Sequence, residues 1–506
     1  MTDKRSQRIA RNTLMLYIRM FALLLVGLYT SRVVLEALGE NDYGIYNVVG
    51  GVVAMFTIIS GALNSAVSRF ITFEMGRGES AQLNKVYSTA VNIQLLLAFV
   101  VVIIAEPIGL WFIENEMTID PLRIPAARKV LHFSILAFVI NLMSVPQMAS
   151  ITAHEKMSAY AAIGVVDSLL RLGVAILIMN ESDDRLVHYA LLMAAVVFVV
   201  RLAYGIYCRI HFPECRYKPV FEKGLMKEMF SFAGWNFIGV SAGVLRDQGG
   251  NILVNLFYGT AVNAARGIAV QLNSAVQGFV TNFMTAVNPQ ITKSFASGDK
   301  EYMFSLVRKS SRMSFCLLFV LSLPVLFNTE YLLSIWLKDV PDHTVLFVRL
   351  FMIFALCESL SHPLITAQLA TGKIRNYQLV VGGLMLLNIP VSYVFLKNGA
   401  IAEMTVVVAI FISLICLMAR LIMLRRMIGL PLKDFLSDVF LRVVMVILVS
   451  EILPVLSVGF LPEGFAGFAS SFLICLASAG CSVVFIGLKR CERHELAAML
   501  RKGGDR

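Results

Sequence analysis

A chain of 506 residues that is 58 % hydrophobic and 15 % charged, with a mean hydropathy of +0.75, lies far from the roughly 25 % charged composition of soluble domains. An ordinary water-soluble enzyme is excluded, because apolar blocks of about 20 residues recur along the whole length and need lipid as their solvent. The net charge of +11 sits mainly in short basic stretches between these blocks, so it reflects membrane topology and not nucleic-acid binding.

Fourteen runs are long enough to cross a ~30 Å hydrocarbon core at ~1.5 Å per residue. In chain order, spans 1 to 6 are predicted near 12–36, 44–66, 86–113, 130–152, 158–180 and 186–208. Spans 7 to 12 follow near 229–257, 262–286, 310–336, 343–366, 376–396 and 401–424, and spans 13 and 14 near 435–457 and 465–488. Stretches such as Leu95-Leu96-Leu97-Ala98-Phe99-Val100-Val101-Val102 are apolar on every face, whereas a barrel strand alternates. Helices also satisfy their own backbone inside lipid, so the predicted fold class is an all-α polytopic membrane protein.

About 30 of the 44 basic residues fall in the N-terminal tail, the even-numbered loops and the C-terminal tail, against about 6 in the odd-numbered loops. This bias places both termini in the cytoplasm. The N-terminal basic residues precede an apolar run too long for a signal peptide, which reads as a retained first span. All eight cysteines lie in spans or on the cytoplasmic side, so no disulfide framework is expected. No histidine pair has ligand spacing, no nucleotide loop or hydrolase motif occurs, and no metal or cofactor is expected.

The chain matches itself. At an offset of 220, Asn64–Thr72 lies over Met284–Thr292 with shared Ala-Val and Ile-Thr, and Gly39 and Gly78 fall on Gly259 and Gly298. At an offset of 217, Pro107 falls on Pro324, and Ser144, Pro146, Ala153, Lys156 and Tyr160 fall on Ser361, Pro363, Ala370, Lys373 and Tyr377. Such self-similarity marks duplicated bundles. It predicts two homologous six-helix lobes in a parallel repeat, 1–215 (spans 1–6) and 216–430 (spans 7–12), with spans 13 and 14 and a tail over 431–506. The duplicated prolines predict matching kinks in spans 3 and 9 and in spans 4 and 10.

Eight arginines and no lysine are assigned to the spans: Arg19, Arg32, Arg171, Arg201, Arg246, Arg266, Arg349 and Arg442. Left unpaired at helix centres they would cost on the order of 20–28 kcal/mol, so most must find partners, interfaces or water. Arg32 lies one turn before Glu36, and Arg171 one turn after Asp167, where side chains meet. Arg246 and Asp247 are neighbours about 100° apart on a helix and cannot share a face well, so at least one of them needs a partner on another helix or a wet cavity. An arginine fork stays charged and matches phosphate oxygens bidentately. With few central carboxylates beyond Asp167, Asp247 and Glu358, the balance favours an anionic substrate. Aromatic residues such as Tyr17, Tyr29, Trp235 and Phe237 fit either lipid packing or sugar stacking.

The first odd-numbered turn reads Leu38-Gly39-Glu40-Asn41-Asp42-Tyr43-Gly44-Ile45-Tyr46, and its counterpart after Asp247 reads Tyr258-Gly259-Thr260-Ala261-Val262-Asn263-Ala264-Ala265. These turns resemble those of the polysaccharide (O-antigen repeat-unit, Wzx-like) flippases in the MATE/multidrug, oligosaccharidyl-lipid and polysaccharide exporter superfamily, with Asn263-Ala264 departing from a more usual Tyr-x-x-Ala. The resemblance implies two six-helix lobes around a cavity that opens alternately to the two sides of a bacterial inner membrane. The implied cargo is a polyprenyl-diphosphate-linked oligosaccharide whose tail stays in membrane lipid, handed on to polysaccharide polymerase or ligase machinery.

Arg32 and Asp247 match family-like positions, and Arg246 and Arg266 line the same helix pair. With Arg171, the arginines are the expected diphosphate and sugar contacts; Asp247, Asp167 and Glu358 are the expected coupling or gating carboxylates, with H⁺ or Na⁺ as the coupling ion. Fourteen spans also resemble the lipid II flippase branch. An ion-coupled multidrug or cation antiporter of the same superfamily is the main alternative. A polymerase or ligase enzyme is disfavoured because the longest odd-numbered loop, near 114–129, is only about 16 residues.

Overall fold

A computed structural model describes residues 2–78, 80–117, 119–181, 183–337, 339–457, 462, 464–490 and 492–493. Nearly all of these are helical, and no strand occurs among them. Eleven helices are long and apolar enough to cross a membrane. The other three predicted spans, 2, 7 and 8, are also helical but fall outside that set, span 2 because its helix breaks at 55–56 and spans 7 and 8 because they are more polar. Spans 7 and 8 carry Arg246, Asp247, Asn251, Asn263, Arg266 and Gln277 within otherwise apolar sequence.

The repeat is visible in the backbone. Spans 1 and 2 run continuously over Thr2–Ala54 except at Gly39, where φ is 76° and ψ 169°. Spans 7 and 8 run over Lys223–Ala296 except at Gly259, where φ is 78° and ψ −172°. Both values lie in a region that essentially only glycine enters, since a Cβ would collide with its own backbone. Gly78 and Gly298, the other glycine pair of the repeat, are likewise left-handed at φ 78° and end spans 2 and 8.

The prolines act as the repeat predicts, in two ways. Pro107 and Pro324 sit inside spans 3 and 9 (Ser80–Asn115 and Lys300–Phe327). Pro146 and Pro363 instead open second segments: span 4 divides into Ile124–Leu142 and Val145–Ala153, and span 10 into Thr344–Ser359 and His362–Ala370. A proline lacks the N–H that a helix interior needs but fits its first turn.

Spans 1 and 8 extend beyond prediction, to Thr2 and Ala296, and spans 2 and 9 differ too. Span 2 extends from 40 to Arg77 with a break at 55–56, beyond the predicted 44–66. Span 9 begins at Lys300, where Asp299 accepts the Tyr302 N–H at 3.2 Å, and ends at Phe327. Asn328 stops it by donating Nδ2 to the Pro324 carbonyl at 3.0 Å, and a separate short helix, Thr329–Trp336, follows. The predicted run 310–336 joined these two because both are apolar.

Two compact units are present, Arg11–Phe237 and Ile238–Arg506 together with Met1–Ala10. The first unit has a core where spans 2, 3, 4 and 6 meet, including Val49, Val101, Val130, Leu131 and Leu186. Its segment after span 6 is stitched to a stripe on span 3 at intervals of one turn. Asn84 donates to the Glu214 and Arg216 carbonyls, both at 2.8 Å. The Lys218 N–H donates to Ser88 Oγ at 3.1 Å, and Asn92 donates to the Val220 carbonyl at 3.0 Å while accepting Tyr217 Oη at 2.8 Å.

The second unit has the largest apolar cluster, in which Val307, Leu318, Met352, Leu364, Leu417 and Leu424 join Val439, Val446, Cys475 and Ala479 of spans 13 and 14 (Leu432–Ser457 and Phe465–Gly487). The appended pair therefore shares a core with spans 9, 10 and 12. A buried ionic contact reinforces it: Arg312 of span 9, 1 % exposed, donates Nη2 to both oxygens of Glu492 at 2.6 Å and Nη1 to the Asp438 carbonyl at 3.1 Å.

Candidate functional site

The arginines find partners that offset much of their burial cost. Arg19 lies 4.6 Å over the Tyr160 ring, Arg349 is 3.4 Å from Glu330, and Arg442 donates to the Ile486 carbonyl at 3.0 Å. Arg201 lies within electrostatic reach of Tyr87. Arg32 is exposed. In the first unit, Arg171 Nε donates to Asp167 Oδ1 at 2.8 Å, the contact that the one-turn spacing predicts. The Tyr46–Tyr189 edge-to-face pair, with centroids 4.8 Å apart, lies within electrostatic reach of Arg171.

The densest constellation is in the second unit, on the helices flanking Gly259. Arg246 Nε donates to Asp247 Oδ1 at 2.9 Å. The long arginine stem curls around the helix far enough to reach the next side chain, although neighbouring positions do not share a face. Arg246 is 11 % exposed and Asp247 62 %, so the carboxylate stays accessible while the guanidinium packs 4.8 Å over the Phe354 ring of span 10. Its two Nη groups carry no hydrogen bond among the described residues, which leaves one edge of the fork open.

Arg266 bridges spans 7 and 8. It donates Nη1 to Asn251 Oδ1 at 3.1 Å and Nη2 to the Asp247 carbonyl at 3.0 Å, with its guanidinium 5.5 Å over Phe351. Gly250 makes the crossing possible, since a Cβ there would stand 3.0 Å from Arg266 Nη2.

Behind these residues, Glu358 accepts the Ser413 hydroxyl and is attracted by Arg420, Arg246 and His362. Arg420, 1 % exposed, donates Nη1 to Ser361 Oγ at 2.9 Å and Nε to Tyr377 Oη at 3.3 Å. Ser361 and Tyr377 are the repeated residues that align with Ser144 and Tyr160. Arg420 falls inside predicted span 12 (401–424), and Arg312 inside predicted span 9 (310–336), yet neither is among the eight arginines assigned to the spans. The Ser-x-Pro and Tyr matches were the available signal, as buried hydroxyls need partners. Arg246, Arg266, Asp247 and Glu358 thus gather in one unit with Arg420, whereas Asp167 and Arg171 form a separate pair in the other.

Among the described residues, Glu181 and Asp183 in the loop between spans 5 and 6 and His188 in the first turn of span 6 bring possible ligand atoms within 4.8 Å of one another. All three are at least partly exposed.

Residues 9–295 match the family described as polysaccharide biosynthesis protein. The chain belongs to that family. A curated relative, the uncharacterized membrane protein EpsK of Bacillus subtilis (strain 168), is 20 % identical over 297 residues, or 58 % of each chain, so this chain spans under two thirds of that relative. A MATE transporter variant from Vibrio cholerae aligns over 84 % of this chain and 99 % of its own, with a TM-score of 0.71 at 14 % identity. A MOP superfamily transporter from Pyrococcus furiosus, described as having a binding pocket of reverse polarity, covers 83 % and 95 % with a TM-score of 0.69 at 10 % identity. The fold is that of these solved transporters, and the family member described here is a multi-pass membrane protein.

Proposed function

We propose that this protein is a flippase that moves a polyprenyl-diphosphate-linked oligosaccharide across a bacterial inner membrane by alternating access, for surface polysaccharide or lipopolysaccharide assembly. The observation that carries the reading is Arg246, a buried guanidinium stacked on Phe354 with only Nε engaged by Asp247. A fixed fork with an open edge suits phosphate oxygens, and it keeps its charge away from water. Arg266 supplies a second guanidinium on the adjoining helix. Membership of the polysaccharide biosynthesis family supports the same class of cargo.

A diphosphate that engages the open edge of Arg246 shares the guanidinium with Asp247. Sharing weakens the hold of the guanidinium on Asp247, which with Glu358 is then the assigned site of the coupling ion, H⁺ or Na⁺. An ion held differently in two arrangements biases one over the other, which any coupled carrier requires.

The test is lipid extraction from a deletion strain, analysed by mass spectrometry, with surface polysaccharide measured on the same cells. The proposal expects accumulation of an oligosaccharide-diphosphate-polyprenol and loss of polymer, restored by the intact gene and not by Arg246→Ala. Accumulated lipid II would transfer the protein to the peptidoglycan branch. An unchanged lipid pool, with efflux of organic cations, would establish the drug-antiporter reading instead.

A further inference from the structure

The residues immediately before spans 4 and 6 pair in the first unit. Arg123 precedes Ile124, Asp184 precedes Arg185, and Arg123 Nη1 stands 3.1 Å from Asp184 Oδ2. The other edge of Arg123 grips Asp42 at the start of span 2, with Nε donating to Oδ1 at 2.9 Å.

The corresponding positions in the second repeat are His343, immediately before span 10, and Glu403, immediately before span 12. They pair as well, with His343 Nδ1 2.7 Å from Glu403 Oε1. A guanidinium does not lose its proton in proteins, whereas an imidazole changes charge between about pH 5 and 8. One repeat therefore closes this contact with a permanent cation and the other with a titratable one.

Three features show that the histidine contact holds structure in place. Glu403 is 1 % exposed and its Oε2 has no partner among the described residues, so its charge is met through His343. His343 has φ 71°, a left-handed conformation that a non-glycine residue keeps only where contacts hold it. Tyr258, next to Gly259, donates its hydroxyl to the Ala400 carbonyl and lies with its ring 6.4 Å from the imidazole. The 398–403 loop thus gathers the end of span 7 and the start of span 10. Among the described residues, the remaining ionisable groups on these segments are Asp339 and Asp342 on the loop of His343 and Lys397 before the 398–403 loop, all exposed; the sequence of that first loop also carries Lys338.

We infer that the His343–Glu403 pair is a pH-operated latch between the loop before span 10 and the loop before span 12. The imidazolium and the buried carboxylate hold the loops together at low pH. As pH rises and the imidazolium loses its proton, the ion pair goes and the loops loosen. The Arg123–Asp184 contact holds at both extremes.

Hydrogen exchange of the full-length protein in nanodiscs tests this, at about pH 5.5 and about pH 8 with intrinsic exchange rates corrected. Peptides covering 339–344 and 398–404 are expected to lose protection about tenfold at the higher pH, the scale of one charge-assisted hydrogen bond. Peptides covering 119–124 should not change, whereas 183–186 lies beside the His188–Glu181 pair and is not used as the control. His343→Arg, which copies the contact of the first repeat, should keep the second-repeat peptides protected at both values. Equal protection of those peptides at both values in the native chain would overturn the latch without recourse to any variant, as would an unaltered pH dependence in His343→Arg.

Discussion

Glu492→Gln tests how spans 13 and 14 are fastened. The Arg312 guanidinium is 1 % exposed, and Glu492 is the carboxylate it touches, at 2.6 Å from each oxygen. The same carboxylate accepts the Lys489 N–H at 2.7 Å, while Asp438 receives Lys489 Nζ at 2.7 Å and Arg308 Nε at 3.5 Å. Removing the charge of Glu492 takes from buried Arg312 the carboxylate it touches, with Asp438 still within electrostatic reach, and costs up to about 3–5 kcal/mol. For a cooperative unit of this size that corresponds to a fall in Tm of roughly 6–20 °C, read by thermal unfolding of the detergent-solubilised protein. The double variant Arg312→Met with Glu492→Met should recover most of the loss, because apolar groups of similar volume need no counter-ion. A Glu492→Gln protein that melts within about 2 °C of the native one, or a double variant no better than the sum of its parts, would refute the argument.

Gly259→Ala should destabilise the junction of spans 7 and 8 by about 1–3 kcal/mol, visible as lowered Tm and transport. Its added methyl meets nothing within 4 Å, so the whole cost is backbone strain; a neutral Gly259→Ala would contradict the assigned conformation. Glu214 titrates below the ordinary carboxylate value: burial alone would raise it, but the hydrogen bond and charge of His154 at 3.0 Å outweigh burial. A depressed folded value stabilises above the unfolded one, near ~4.3, and this stability is lost as pH falls through the folded value. Acid titration should therefore show a smaller fall in Tm below about pH 4 for Glu214→Gln than for the native chain; identical curves would deny the linkage. Asn92→Ala removes two hydrogen bonds to the segment after span 6. It should raise proteolytic cleavage near 217–220 at a cost of about 1–3 kcal/mol, and an unchanged cleavage rate would count against that role.

Much of the architecture was legible because lipid imposes a strong pattern. Apolar runs marked the spans, and Gly39 and Gly259 marked two turns that no other residue makes easily. Polar long-range contacts were not legible in the same way. Arg420 and Arg312 lie near span ends, where a basic residue ordinarily signals topology, yet each is buried against groups distant in sequence. The Asp167–Arg171 contact could be read from helical spacing, since both partners share one face. Arg246–Asp247 could not, because it depends on how far a flexible stem bends. The pairing of His343 with Glu403 is invisible to periodicity, as both residues sit in loops whose approach is set by the helices they precede.

The central claim is that Arg246 receives a diphosphate during translocation. The most direct measurement is transfer of native polyprenyl-diphosphate oligosaccharide across proteoliposomes carrying purified protein, with Arg246→Ala and Arg246→Lys beside the native chain. The account predicts transfer by the native protein, none by the alanine variant, and strongly reduced transfer by lysine, which keeps the charge but loses the fork. Equal transfer by all three, with equal incorporation into the membrane, would contradict it.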